Sequence, residues 1–109
     1  MHELSIAQGI VEICESSASG RCVTAVCLEI GALSGVVPEA LEFCFDACVQ
    51  GTLLEGATLE IEKISASGFC DKCCLTFPIE AYFDPCPVCN SCLAIRSGEE
   101  MRVKYLEVE

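Results

Sequence analysis

The sequence has no tryptophan, a single histidine, and only six basic side chains among its 109 residues. Each scarcity removes a class of function. Six Lys and Arg face 17 Asp and Glu, a formal charge of −11, so the chain lacks the basic face that nucleic-acid phosphates require. An acidic field suits a cation or a basic protein surface instead. The one histidine is His2, which leaves no material for a Ser-His-Asp arrangement, and no glycine-rich phosphate loop is present. Catalysis by this chain alone is therefore not expected. No hydrophobic run approaches the about 18 residues of a membrane span. An apolar content of 52% and a mean hydropathy of +0.50 exclude intrinsic disorder.

Cysteine is the residue in excess, at 11 of 109. Such density marks either a secreted disulfide scaffold or a reduced chain that uses thiolates for metal. The opening Met1-His2-Glu3-Leu4-Ser5-Ile6 has no basic segment, and Glu12 and Glu15 interrupt any apolar core of a secretion signal. The odd count also fits a fully paired scaffold poorly. The expectation is a cytoplasmic, reduced protein, and the small acidic surface permits either a monomer or a homodimer.

Periodicity predicts helix, strand, helix, strand, cysteine-rich insert, strand. Residues 4–16 repeat Leu4, Ile6, Ala7, Ile10, Val11, Ile13 and Cys14 at helical spacing and stop at the breaker-rich 17–20. Residues 22–30 read as a strand with Val26, Leu28 and Ile30 on one face and Ala25, Cys27 and Glu29 on the other. Pro38 and Glu39 open a second helix with Leu41, Cys44, Phe45 and Cys48 on its stripe, stopping near Gly51. Residues 58–64 alternate Leu59 and Ile61 with Glu60 and Glu62. In 101–108 the alternation slips between Val103-Tyr105 and Leu106-Val108, the mark of a bulge or of a strand covered on both faces. The strands at 58–64 and 101–108 flank the insert and are expected to pair as an antiparallel hairpin. The fold class is α+β: a small mixed α/β domain of two helices against a three-stranded sheet, with an inserted four-cysteine zinc module. The domain reading is 1–68 plus 94–109 for the α/β part and 69–93 for the metal part.

Residues 69–93 hold six of the eleven cysteines and three of the four prolines. Cys70-x2-Cys73 and Cys86-x2-Cys89, twelve residues apart, are two matched knuckles, and two knuckles complete a tetrahedral site of four sulfurs. Four protein ligands leave no open position, so a zinc(II) ion held there would be structural. A redox dithiol pair and a rubredoxin-like or iron–sulfur centre use the same residues and stand as alternatives. Cys89-x2-Cys92 is also a legal pair, and Cys74 adjoins the first knuckle. The other five, Cys14, Cys22, Cys27, Cys44 and Cys48, are expected to fill core.

The Met1 amine, the backbone nitrogen of His2 and its imidazole can wrap one ion in fused chelate rings, leaving a position that the Glu3 carboxylate can take. Three coplanar nitrogens suit Ni(II) or Cu(II) over Zn(II). Spacing alone favours a frayed terminus with a solvated histidine, which leaves a zinc-ribbon adaptor without a nickel role as the alternative.

Four motifs in register resemble the HypA/HybF family of hydrogenase maturation factors. They are Met1-His2-Glu3-Leu4-Ser5, Leu28-Glu29-Ile30-Gly31-Ala32-Leu33-Ser34, Phe43-Cys44-Phe45-Asp46 and the paired knuckles, with Leu106-Glu107-Val108-Glu109 closing the chain. The resemblance implies a nickel metallochaperone that carries Ni(II) as cargo on Met1, His2 and Glu3, with zinc on Cys70, Cys73, Cys86 and Cys89. It implies partners as well: a nickel-handling maturation GTPase and the [NiFe]-hydrogenase large-subunit precursor, with urease in some organisms. Two departures stand out. Val37 occupies a position where some relatives carry a further acidic ligand, with Glu39 two residues on. Cys74 and Asn90 follow the knuckles where the family often has glycine or histidine.

Overall fold

The computed structural model describes residues 3–109. Met1 and His2, on which the nickel expectation rests, lie outside them. The elements in chain order are α1 (Glu3–Ala18), β1 (Val23–Gly31), α2 (Pro38–Cys48), β2 (Thr58–Ile64), β3 (Ser67–Cys70), β4 (Leu75–Pro78), β5 (Ala94–Ser97) and β6 (Met101–Val108). They form two three-stranded sheets, ordered β2-β1-β6 and β4-β3-β5. The chain falls into two compact units, one of Met1–Glu29, Gly35–Glu62 and Arg102–Glu109, the other of Ile30–Ser34 and Lys63–Met101.

In the first unit, α1 buries Ala7, Ile10, Val11, Cys14 and Ala18, whereas Leu4 and Ile13, expected on the same stripe, are exposed because they sit on its flanks. Ser19 at φ 54° and Gly20 at φ 80° then turn the chain through the left-handed region that ends a helix. Proline at the first turn starts α2, which buries Leu41 and Phe45 and packs against α1. The loop beyond α2 is tied down twice: the Leu53 amide donates to Glu15 Oε2 at 3.2 Å, and the Val23 amide to the Leu53 carbonyl at 2.8 Å.

The expected β2–β6 hairpin is not what forms, because β1 lies between those strands. Burial gives the reason. In β1, Val26, Cys27, Leu28 and Ile30 are all buried, as a strand with a neighbour on each side requires, whereas β2 and β6 bury no residue. The alternation slip in β6 is not that of a strand covered on both faces, since none of its residues is buried. Lys104 Nζ reaches Glu62 at 2.9 Å and Tyr105 Oη reaches Glu60 at 3.1 Å. Glu60 and Glu62, two apart on one strand, share a face, and two consecutive residues of β6 reach them. Cys27, on the strand between, is 2% exposed. Burial and the Glu62 and Glu60 carboxylates push its thiol up.

In the second unit, β3 is central, pairing antiparallel with β4 from Ser67↔Pro78 to Cys70↔Leu75 and with β5 through Gly68↔Ile95 and Phe69↔Ala94. These four-residue strands begin just before the cysteine-rich segment and close just after it. Gly68 lets Leu93 approach closely: a Cβ there would sit 2.8 Å from that of Leu93, so one of the two would have to shift. The Arg96 guanidinium stacks over the Phe69 ring at 4.6 Å. Residues Gly31–Leu33 join this unit by backbone: the Gly31 amide donates to Glu100 at 2.7 Å, Ala32 to Ile64 at 2.9 Å, and Leu33 to Gly98 at 2.7 Å.

Candidate metal centre

Two turns, each ending in a left-handed residue, carry the four thiols. The first leaves β3 at Cys70, whose Sγ accepts the Cys73 amide at 3.4 Å, and reverses at Cys74 with φ 55°. In the second, the Asn90 amide returns to the Cys86 carbonyl and the Cys86 amide to Ser91, both at 2.9 Å, with Asn90 at φ 61°. This backbone conformation accounts for the glycine often found after such knuckles. Only glycine adopts it without a Cβ penalty, and asparagine tolerates it better than cysteine does.

The turns bring Cys70, Cys73, Cys86 and Cys89 together, with all four Sγ atoms within 4.8 Å of one another. Cys70 Sγ lies 3.5 Å from Cys89 Sγ, and Cys73 Sγ 3.9 Å from Cys86 Sγ. A tetrahedral ion with metal–sulfur bonds of about 2.3 Å needs sulfurs about 3.8 Å apart, so the donor set fits one ion held by four sulfurs. It is also the only such group among the described residues. Cys74 and Cys92 are exposed and outside it.

Two of the four thiols, Cys89 and Cys73, depart in opposite directions from ordinary proton affinity. The hydroxyl and amide of Ser91, followed by Cys70, pull the Cys89 thiol down to about 6. Hydrogen bonding with Cys89, burial and the remaining two thiols push Cys73 up to about 12. The exposed Cys89 therefore gives up its proton more readily than Cys73 does. Displacing the proton of Cys73 completes the shell and makes binding pH-dependent.

Among the remaining cysteines, Cys14 and Cys27 are buried and Cys44 and Cys48 half-buried, but Cys22, expected in the core, is exposed. It falls in the turn before β1, one residue ahead of the strand's first buried position. Glu3 is described: its Oε2 lies 3.5 Å from the Val37 amide at the start of α2. Sequence reasoning assigns Ser91 no role, although a hydroxyl two residues after a thiolate ligand is a readable signal.

The model of the family described as hydrogenase/urease nickel incorporation, metallochaperone, hypA matches residues 1–108. Hydrogenase maturation factor HypA of Geobacter sulfurreducens is 59% identical over the whole of both chains, and that of Geobacter metallireducens 61%. The solution structure of the Ni metallochaperone HypA from Helicobacter pylori superposes with a TM-score of 0.72 at 26% identity, covering 99% of this chain and 97% of that one.

Proposed function

The chain belongs to the HypA family of hydrogenase and urease nickel-incorporation metallochaperones, and from that premise we propose that it is a cytoplasmic nickel carrier rather than an enzyme. Ni(II) is its cargo, bound by the Met1 amine, the His2 backbone nitrogen and imidazole, and the Glu3 carboxylate. It serves insertion into the [NiFe]-hydrogenase large-subunit precursor, alongside the nickel-handling maturation GTPase. The observation that carries this reading is the family match from residue 1 to residue 108, which takes in the Met-His-Glu start together with both knuckles.

An open terminal chelate suits cargo that must leave again by ligand exchange. Its nitrogens bind only when deprotonated, so acid weakens it. Cys70, Cys73, Cys86 and Cys89 fit zinc(II), which when bound supplies folding energy to a segment poor in aliphatic residues. The nickel function is assigned to 1–68 plus 94–109, and the zinc function to 69–93. Among the described residues no helix is long and apolar enough to cross a membrane.

The test is metal analysis followed by Ni(II) titration of the untagged protein beside His2→Ala. Both should hold one zinc per chain, and only the unmutated protein should bind nickel tightly. Equal nickel binding by the two proteins would remove the terminal chelate. Iron in place of zinc would reassign the thiol cluster.

A further inference from the structure

The turn between β4 and the second knuckle holds one aromatic ring out into solvent. Asp84 Oδ2 accepts the amides of Glu80 at 2.7 Å and Ala81 at 3.2 Å, and the Asp84 amide returns to the Ala81 carbonyl at 3.2 Å. Tyr82 Oη donates to Glu99 Oε2 at 2.9 Å. Buried Ile79 and Cys86 anchor the two ends, and Pro85 stiffens the exit. Between these restraints Phe83 is 95% exposed. It borders an open cavity of about 370 Å³ shared with Tyr82, Asp84, Cys92 and Leu93.

A single exposed apolar side chain is ordinary. This one differs in having a fixed backbone, an adjoining concavity and two acidic residues, Glu80 and Asp84, on the same turn. Between Lys72 and Arg96 the sequence carries Glu80 and Asp84 and no base. A pinned turn has already lost the backbone freedom that docking would otherwise remove. An aromatic ring beside a concavity is the usual form of an interface anchor, and acidic neighbours select a basic counterpart.

We infer that the Phe83 turn is a docking surface for a partner protein offering an apolar pocket rimmed by lysine and arginine. The inference rests on the carrier reading only for its choice of probes. These are the purified [NiFe]-hydrogenase large-subunit precursor and the maturation GTPase of the same organism, each titrated against the full zinc-loaded chain. Phe83→Ala should weaken binding of one probe by about 30-fold. Phe83→Leu should weaken it less, and Glu80→Lys should slow association and flatten its salt dependence, with zinc content unchanged in all three. Two results would overturn the assignment: unaltered binding of both probes by Phe83→Ala, or no binding of either probe by the unmutated chain. Neither touches the nickel chelate, which the His2→Ala titration decides separately. Phe83-dependent binding by a chain that fails to take nickel would overturn the carrier reading and keep the docking surface.

Discussion

Cys70 and Cys89 stand nineteen positions apart in the chain, yet their sulfurs approach to 3.5 Å. One is fully buried at the end of a strand and the other exposed on a turn. The cluster thus joins the inside of the small sheet to its surface, and a bound ion depends on both.

Cys70→Ser and Cys89→Ser should each lose the tightly held ion, because three thiolates leave the shell open. Cys92→Ser should keep it. Metal-to-protein ratios after exhaustive dialysis separate the two outcomes, and metal loss in Cys92→Ser would mean that the legal Cys89-x2-Cys92 pair is used after all.

Cys74→Gly should retain the ion and stabilise the metal-loaded protein by about 0.5–1 kcal/mol, because φ 55° costs a cysteine what it does not cost glycine. The midpoint of chelator-induced or thermal unfolding reads this out. A lower midpoint would show that the Cys74 side chain contributes to the fold.

Gly31 lies so close to the Gly98 carbonyl that any Cβ on it would collide with backbone. Gly31→Ala should therefore destabilise by about 3 kcal/mol or more, at the upper end of overpacking costs. Urea denaturation followed by circular dichroism measures it, and a midpoint near that of the unmutated protein would contradict the close approach.

The chain's two tyrosines both lean on carboxylates. Glu60 first, by hydrogen bond and charge, and then Cys27 push Tyr105 up to about 12. Glu99 pushes Tyr82 up. A folded-state value raised above the ordinary one near 10 favours the protonated form. For Tyr105 this contribution is intact below about pH 10 and is lost as pH rises through about 12. Tyrosinate absorbance should rise late for both residues, and Glu60→Gln should bring one of the two down towards its ordinary value.

Much of this is legible in the residues themselves. The stripe Ala7, Ile10, Val11, Cys14 defines α1, Pro38 marks the start of α2, and the spacing of four cysteines locates the cluster. Strand order is less legible, because alternation names the face a residue takes and not the neighbour its strand pairs with. The continuous burial of Val26, Cys27 and Leu28 marks the central strand, but in sequence Cys27 reads equally well as a surface position. The strands β3, β4 and β5 escape notice for a different reason. Four residues are too few to establish a period, and Gly68 and Pro78 read as breakers. Only the ladder that assembles around the thiols reveals them.

The hydroxyls of Ser67 and Ser97 meet at 2.6 Å, and Ser97 Oγ donates onward to the Ser65 carbonyl at 2.8 Å. The 29 residues between them therefore begin and end at one point, and the flanking chain spans no more distance than it would around a tight turn. Loop-closure entropy grows only slowly with length, so an excursion whose ends already meet can lengthen, shorten or change its ligands at little cost to the rest of the fold. Such a segment is a natural site of variation between lineages and a ready cassette for grafting onto an unrelated hairpin.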